Sequence, residues 1–169
     1  MNKRGIFSIE FIRRTAEEKI HSFVIGRQAM AVYGAPTATN GLDLLVVSEP
    51  EEQHLCSIAE EFDLVKVLEE TGGIIYHKKQ IRYADDPKYP IHQPRIVDIL
   101  TIPRLRSFSF EAAWKRRVPI CLDDGNTFYL PYVDDLIALK RARNHLRDKE
   151  DISWLKRNRK DLIKLFPSC

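Results

Sequence analysis

The chain has 169 residues, 44% hydrophobic and 30% charged, with a formal net charge of +3; that balance excludes a disordered or strongly nucleic-acid-like polyelectrolyte and fits an ordinary globular domain. A chain of this size buries roughly 70% of its unfolded surface, so 1–169 is expected to form a single unit without a disulfide or metal staple. No apolar run approaches the ~20 residues that span a bilayer. The basic start Met1-Asn2-Lys3-Arg4-Gly5 does not lead into a signal-peptide core, and Cys56, Cys121 and Cys169 form no Cys-x-x-Cys pair. The expectation is a cytoplasmic protein with reduced thiols and no membrane partner.

In chain order, Ile9, Ile12, Ala16 and Ile20 mark a helix over 8–19, with Ser8 placed to cap it. A short buried strand over 21–25 ends at Gly26, and 27–33 suits a helix closed by Gly34. Turn chemistry in Ala35-Pro36-Thr37-Ala38-Thr39-Asn40-Gly41 leads into a strand over 42–47 and a helix over 48–63. Strands are predicted over 64–68, 74–78 and 95–102, with 83–90 as an exposed loop. A helix over 108–117 directs Phe110, Ala113 and Trp114 inward, and a hairpin of 119–122 with 127–130 turns on Asp123-Asp124-Gly125-Asn126. Two basic helices, 133–147 and 149–166, close the chain. The order implies an α/β domain: a mixed β-sheet flanked by helices over 20–131, then a helical C-terminal portion over 132–166. The Lys- and Arg-rich stretches 104–117 and 140–164 suit phosphates or RNA, or simply a solvated helix face.

Three local features bear on chemistry. Gly26 joins a strand to a helix, where a glycine admits a phosphate close to the backbone, although a plain strand–helix turn explains it equally well. Asp43 sits inside the apolar strand Leu42-Asp43-Leu44-Leu45-Val46-Val47, and Asp98 inside Ile96-Val97-Asp98-Ile99-Leu100. A carboxylate buried without compensation is costly, so each acid is expected to face water, a metal, or one of the many arginines. Two such acids meeting on one sheet face would suit Mg²⁺ and the phosphates of a nucleotide.

The run from Gly26 to Leu44 resembles the opening motif of minimal nucleotidyltransferases: a Gly-Ser turn, a short alanine-bearing helix, Tyr-Gly, Pro-Arg-x-Thr, then Asp-x-Asp on the second strand. Asp98 falls where that family has its third acid, and Asp135-Leu136-Ile137-Ala138-Leu139-Lys140 followed by Asp148-Lys149-Glu150-Asp151-Ile152 is similar to its later helices. The resemblance covers about 20–155 and is nearest to abortive-infection (AbiEii-type) toxin nucleotidyltransferases and stand-alone domains of that kind. It implies the nucleotidyltransferase fold, with Asp43 and Asp98 as catalytic acids and Mg²⁺ ligands, and Asp98 helping to deprotonate the incoming hydroxyl. Gly26, Arg27 and Lys140 would hold the nucleotide, while Asp148 and Asp151 tie the last helices together. The implied activity is transfer of a nucleotide monophosphate from an NTP to a hydroxyl of RNA or protein, with a cognate antitoxin as partner.

The chain departs from that motif at three positions. Gly41 stands where the first acid of Asp-x-Asp belongs, Arg27 follows the turn glycine, and Thr37 replaces the arginine of Pro-Arg-x-Thr. Phosphoryl transfer depends on positioning and charge neutralisation, so loss of a bridging acid weakens metal binding and rate. The alternative is therefore a degenerate nucleotide-, RNA- or partner-binding module, unless Asp85 or Asp86 supplies the missing ligand. His145 lies near Lys140 and Asp148, where a nucleotide contact or a solvated helix histidine both fit.

Overall fold

Successive side chains of a strand point to opposite faces of its sheet, and five residues of this chain, Leu42 to Val46, put that alternation to use. A computed structural model describes residues 3–39, 41–71, 79–89, 91–102, 104–105 and 107–168. The first half contains α1 (Lys3–Glu17), β1 (Phe23–Ile25), α2 (Gly26–Val32), β2 (Leu42–Val46), α3 (Glu49–Glu61), β3 (Val65–Thr71) and β4 (Lys79–Ala84). The second half contains β5 (Ile96–Thr101), β6 (Arg104–Leu105), β7 (Phe108–Ser109), α4 (Phe110–Lys115), β8 (Val118–Cys121), β9 (Thr127–Leu130), α5 (Val133–Arg143) and α6 (Leu146–Leu165). The architecture is α/β, a mixed seven-stranded sheet ordered β3-β4-β5-β2-β1-β9-β8 and flanked by helices, with a helical C-terminal portion. Among the described residues, no helix is long and apolar enough to cross a membrane.

The sheet is mixed because of its connections. β1 and β2 are antiparallel across α2 and its turn, β2 and β5 are parallel, and β9 returns parallel to β1. On one face, Val24, Leu42, Leu44, Ile81, Val97 and Ile99 pack with the inward sides of α1, α2 and α3. On the other, Phe23, Ile25, Leu45 and Leu100 pack against α4 and the Ala138–Leu139 side of α5. By parity, Asp43 and Asp98 share this second face, beside the point where α5 crosses it. The β8–β9 hairpin lies where its turn residues predict.

Four elements differ from expectation. α1 already begins at Lys3, so Ser8 lies buried inside it and does not cap it. β4 occupies Lys79–Ala84 and runs into the start of the predicted 83–90 loop, while the strand predicted over 74–78 lies outside the described residues. In β4, Ile81 and Tyr83 face the core while Gln80 and Arg82 face the opposite side, a period-2 pattern that pairs with both β3 and β5. The predicted helix from 108 begins at Phe110, because Phe108 and Ser109 first pair with Arg104 and Leu105. The last two helices part at Asn144, which adopts a left-handed φ of 53°, and not near residue 148. Asparagine tolerates that conformation better than most residues, and the following His145 starts α6.

Candidate functional site

Asp43 and Asp98 are direct partners in the parallel β2–β5 register, so their side chains leave the sheet together, on the same face. They line a cavity of about 230 Å³ with Ile25, Gly26, Arg82, Lys140 and Arg143. Apart from Gln80, its remaining wall is apolar, from Leu100, Ile102, Leu105, Leu136 and Leu139. The same acids, with Arg82 and Arg143, also line an adjoining trough of about 290 Å³ whose rim adds Arg27, Thr39, His145 and Arg147. The cleft thus has a greasy side and a cationic side, divided by the acid pair.

The two acids have different surroundings. Asp98 is buried and firmly held: Oδ1 accepts from Arg82 Nε at 2.8 Å and from Gln80 Nε2 at 3.1 Å, and Oδ2 accepts from Arg82 Nη2 at 2.8 Å. The planar guanidinium fork matches a carboxylate with two parallel bonds, and the pairing holds the Arg82 charge well in place, raising its pKa above the ordinary value. Asp43 has no hydrogen bond or ion pair among the described residues. Burial pushes its carboxyl up to about 6; the nearby charge of Asp98 adds to the rise, and Arg143, Arg82 and Lys140 pull the other way.

Gly26 lines the cavity with φ +65°, but its open side is already taken: an ideal Cβ there would lie 2.0 Å from Asp43 Oδ2. The sequence reading gave that space to a phosphate; the fold gives it to the carboxylate. Arg27 stands on the trough, and its Nη1 donates to the carbonyl of Ala38 at 3.3 Å.

Lys140, expected to reach a triphosphate, is 3% exposed and turned into the joint between α5 and α6. Its Nζ lies 2.6 Å from Asp151 Oδ2 and 3.7 Å from Asp148 Oδ1. Asp148 also accepts from Arg143 Nε at 2.9 Å and Nη2 at 2.5 Å, and from the His145 N–H at 2.9 Å. Burial works against the Asp148 charge, yet these donors together hold its carboxyl below the usual range. The expectation that Asp148 and Asp151 tie the last helices together agrees with this geometry. Lys140 belongs to the same tie, because burying two carboxylates demands matching cations. Asp135, the acid opening the later motif, is held by Arg116 at 2.7 and 2.5 Å and links α4 to α5. His145 caps α6, its Nδ1 facing the Arg147 N–H at 3.4 Å, while its ring stands on the trough.

The donor set does not fit the two-metal arrangement. Among the described residues, no three histidine, cysteine or acidic side chains converge to hold a metal ion. Asp98 spends three of its roughly four lone pairs on Arg82 and Gln80, and Gly41 offers no side chain. Neither loop acid replaces it. Asp85 accepts from the Arg95 N–H, Nε and Nη2 at 2.6, 2.9 and 2.5 Å, and Arg95 itself lies against the Phe7 ring on the far face. Asp86 accepts from the Lys88 N–H at 2.9 Å.

Charge matching within the cleft leaves a clear remainder. Lys140 and Arg143 answer Asp151 and Asp148, and Arg82 answers Asp98. Arg27 and Arg147 have no ion pair among the described residues, so the trough presents surplus positive charge next to Asp43. Sequence reasoning missed Gln80, Arg82, Arg143 and Arg147. The alternation Gln80-Ile81-Arg82-Tyr83 was the available signal for the first two; the others stand at a helix break that no glycine or proline announces. No protein-family model matches the chain, and a search of curated proteins gives no match.

Proposed function

We propose that this chain is a nucleotidyltransferase-fold protein whose cleft binds the phosphates of a nucleotide and which no longer transfers it. Support for the fold comes from the β1–α2–β2 unit, antiparallel across a glycine turn, with a third strand parallel to β2. The observation that carries the reading is the in-register pair of Asp43 and Asp98 on the floor of a cleft rimmed by Arg27, Arg82, Arg143 and Arg147. Such a rim attracts polyanions, and the adjoining apolar pocket, walled by Leu100, Leu105, Leu136 and Leu139, suits a flat base or a sugar. Loss of transfer follows from the donor set, since one acid is a glycine and another is engaged by arginine.

Titration calorimetry with each NTP, alongside a Mg²⁺ assay for transfer of labelled nucleotide monophosphate to RNA and to protein, tests the reading. Binding that weakens when Arg27 and Arg147 are replaced by alanine, with no label transferred, is the expected result. Failure of every NTP to bind would remove the ligand assignment. Mg²⁺-dependent transfer abolished by Asp43→Asn would establish an enzyme instead.

A further inference from the structure

We infer that the Arg82 guanidinium is the resident cation of this cleft, binding ligand phosphate where the resemblance would have a divalent metal, so that phosphate binding here is independent of metal. The inference rests on the proposed phosphate binding and specifies how that binding is achieved.

Several observations converge on Arg82. It lies on β4, opposite Asp98 in the antiparallel β4–β5 register, one strand beyond the acid pair. Its side chain is 41% exposed and lines both the cavity and the trough. A guanidinium has five N–H groups. Nε and one N–H of Nη2 are used on Asp98, and among the described residues the other three N–H groups have no acceptor. The Gln80 amide braces the same Asp98 oxygen at 3.1 Å. The arrangement fixes one face of the fork on a buried carboxylate and leaves the rest open to the cleft. Oxygens of a phosphate accept from such donors readily, and arginine binds them through paired hydrogen bonds.

The other cations are less suited to replace a metal. The Lys140 ammonium is committed to Asp151, and Arg143 is doubly bonded to Asp148. Arg27 and Arg147 stand on the trough, not on the inner cavity. Arg82 and Arg143 are shared by both spaces, but of the two it is Arg82 that is pinned directly to an acid of the floor. A divalent ion using Asp98 as a ligand would compete with Arg82 for that carboxylate and would meet its positive charge, so the two cations disfavour each other.

The probes are inorganic triphosphate and ATP for the anion, and Tb³⁺ luminescence for the metal. With the wild-type chain, triphosphate affinity in EDTA is expected to agree within about twofold with that in Mg²⁺, and Tb³⁺ to give no saturable emission. Replacing Arg82 leaves Asp98 buried and unpaired, so the pair is exchanged together: R82Q/D98N keeps the hydrogen-bonded shape and removes both charges. This double variant is expected to fold and to bind triphosphate about 10- to 100-fold more weakly, the scale on which a charge-assisted paired contact acts. R82A/G41D, which frees Asp98 and adds an acid, is expected to gain saturable Tb³⁺ emission. Triphosphate binding that requires Mg²⁺, or that is unchanged in R82Q/D98N, overturns the inference and leaves the broader reading standing. Absence of triphosphate and ATP binding under both conditions removes the broader reading and this inference with it.

Discussion

The carboxylate of Asp43 fills the space in which any residue other than glycine at position 26 would place its β-carbon, with Oδ2 only 2.0 Å from the ideal Cβ position. Gly26→Ala therefore meets two penalties: a left-handed backbone worth about 1 kcal/mol for a non-glycine residue, and an overlap that forces Asp43 to move. Urea denaturation of Gly26→Ala is expected to show a loss of about 2–4 kcal/mol. In the Asp43→Ala background the overlap is gone and only the backbone term remains, so Gly26→Ala costs about 1 kcal/mol relative to Asp43→Ala. Additive costs in the cycle would mean that the contact is not the one described.

Asp43 also makes stability depend on pH. Its folded pKa of about 6 exceeds the unfolded value near 3.8, so the folded state favours the protonated form. The group's contribution is fully present below the unfolded pKa and is lost as pH rises through about 6. Asp43→Asn removes that titration and is expected to be more stable than the wild type by about 3 kcal/mol at pH 8, with little of the difference left near pH 4. Chemical denaturation at the two pH values checks it. A variant less stable at pH 8 would place a cation against Asp43 that offsets its burial.

Lys140 is predicted to matter for folding. Lys140→Met leaves Asp151 and Asp148 short of a cation inside the α5–α6 joint, and a loss of about 3 kcal/mol is expected. Lys140→Met/Asp151→Leu, which removes charge of both signs, is expected to recover a large part of that loss. Thermal or urea unfolding of both variants reads this directly. A cost near zero for Lys140→Met would return the lysine to the ligand.

Gly41→Asp tests the missing acid. A Cβ at Gly41 would sit 3.3 Å from both the Cβ and the carbonyl oxygen of Ile96, so the neighbouring strand must give by a few tenths of an ångström. The variant is expected to fold with a loss of about 1–2 kcal/mol. It is not expected to gain nucleotide transfer, because Asp98 is still held by Arg82. Transfer activity from this single change would show that the Arg82 clamp opens readily.

The placement of the acid pair was legible in sequence because an aspartate in an otherwise apolar strand has so few permissible settings. Parity along Leu42–Val46 and Ile96–Thr101 does the rest, and the two registers bring Asp43 opposite Asp98. The alternative weighed at the outset, a salt bridge to an arginine, applies to Asp98, and which arginine depends on β4 pairing. That pairing was obscured because Gln80 to Ala84 stands beside turn-like Asp85-Asp86-Pro87 and was read in part as loop. The setting of Lys140 is hidden for a different reason. Its neighbours on a basic helix suggest solvent, whereas its destination is set by acids 8 and 11 residues later, beyond a helix break that local propensity does not reveal. The role of Gly26 is not legible in sequence, since a glycine that admits a phosphate and one that admits a carboxylate read alike.

Arg143 stands at once in the wall of the cleft and in the carboxylate lock that closes the first turn of α6. An anion that draws this guanidinium toward itself must do so at the expense of Asp148, whose other duty is to receive the His145 amide. The elbow between the two helices can therefore report occupancy at a distance. Faster amide exchange at the head of the final helix, with its tail unchanged, would signal that the cleft had filled.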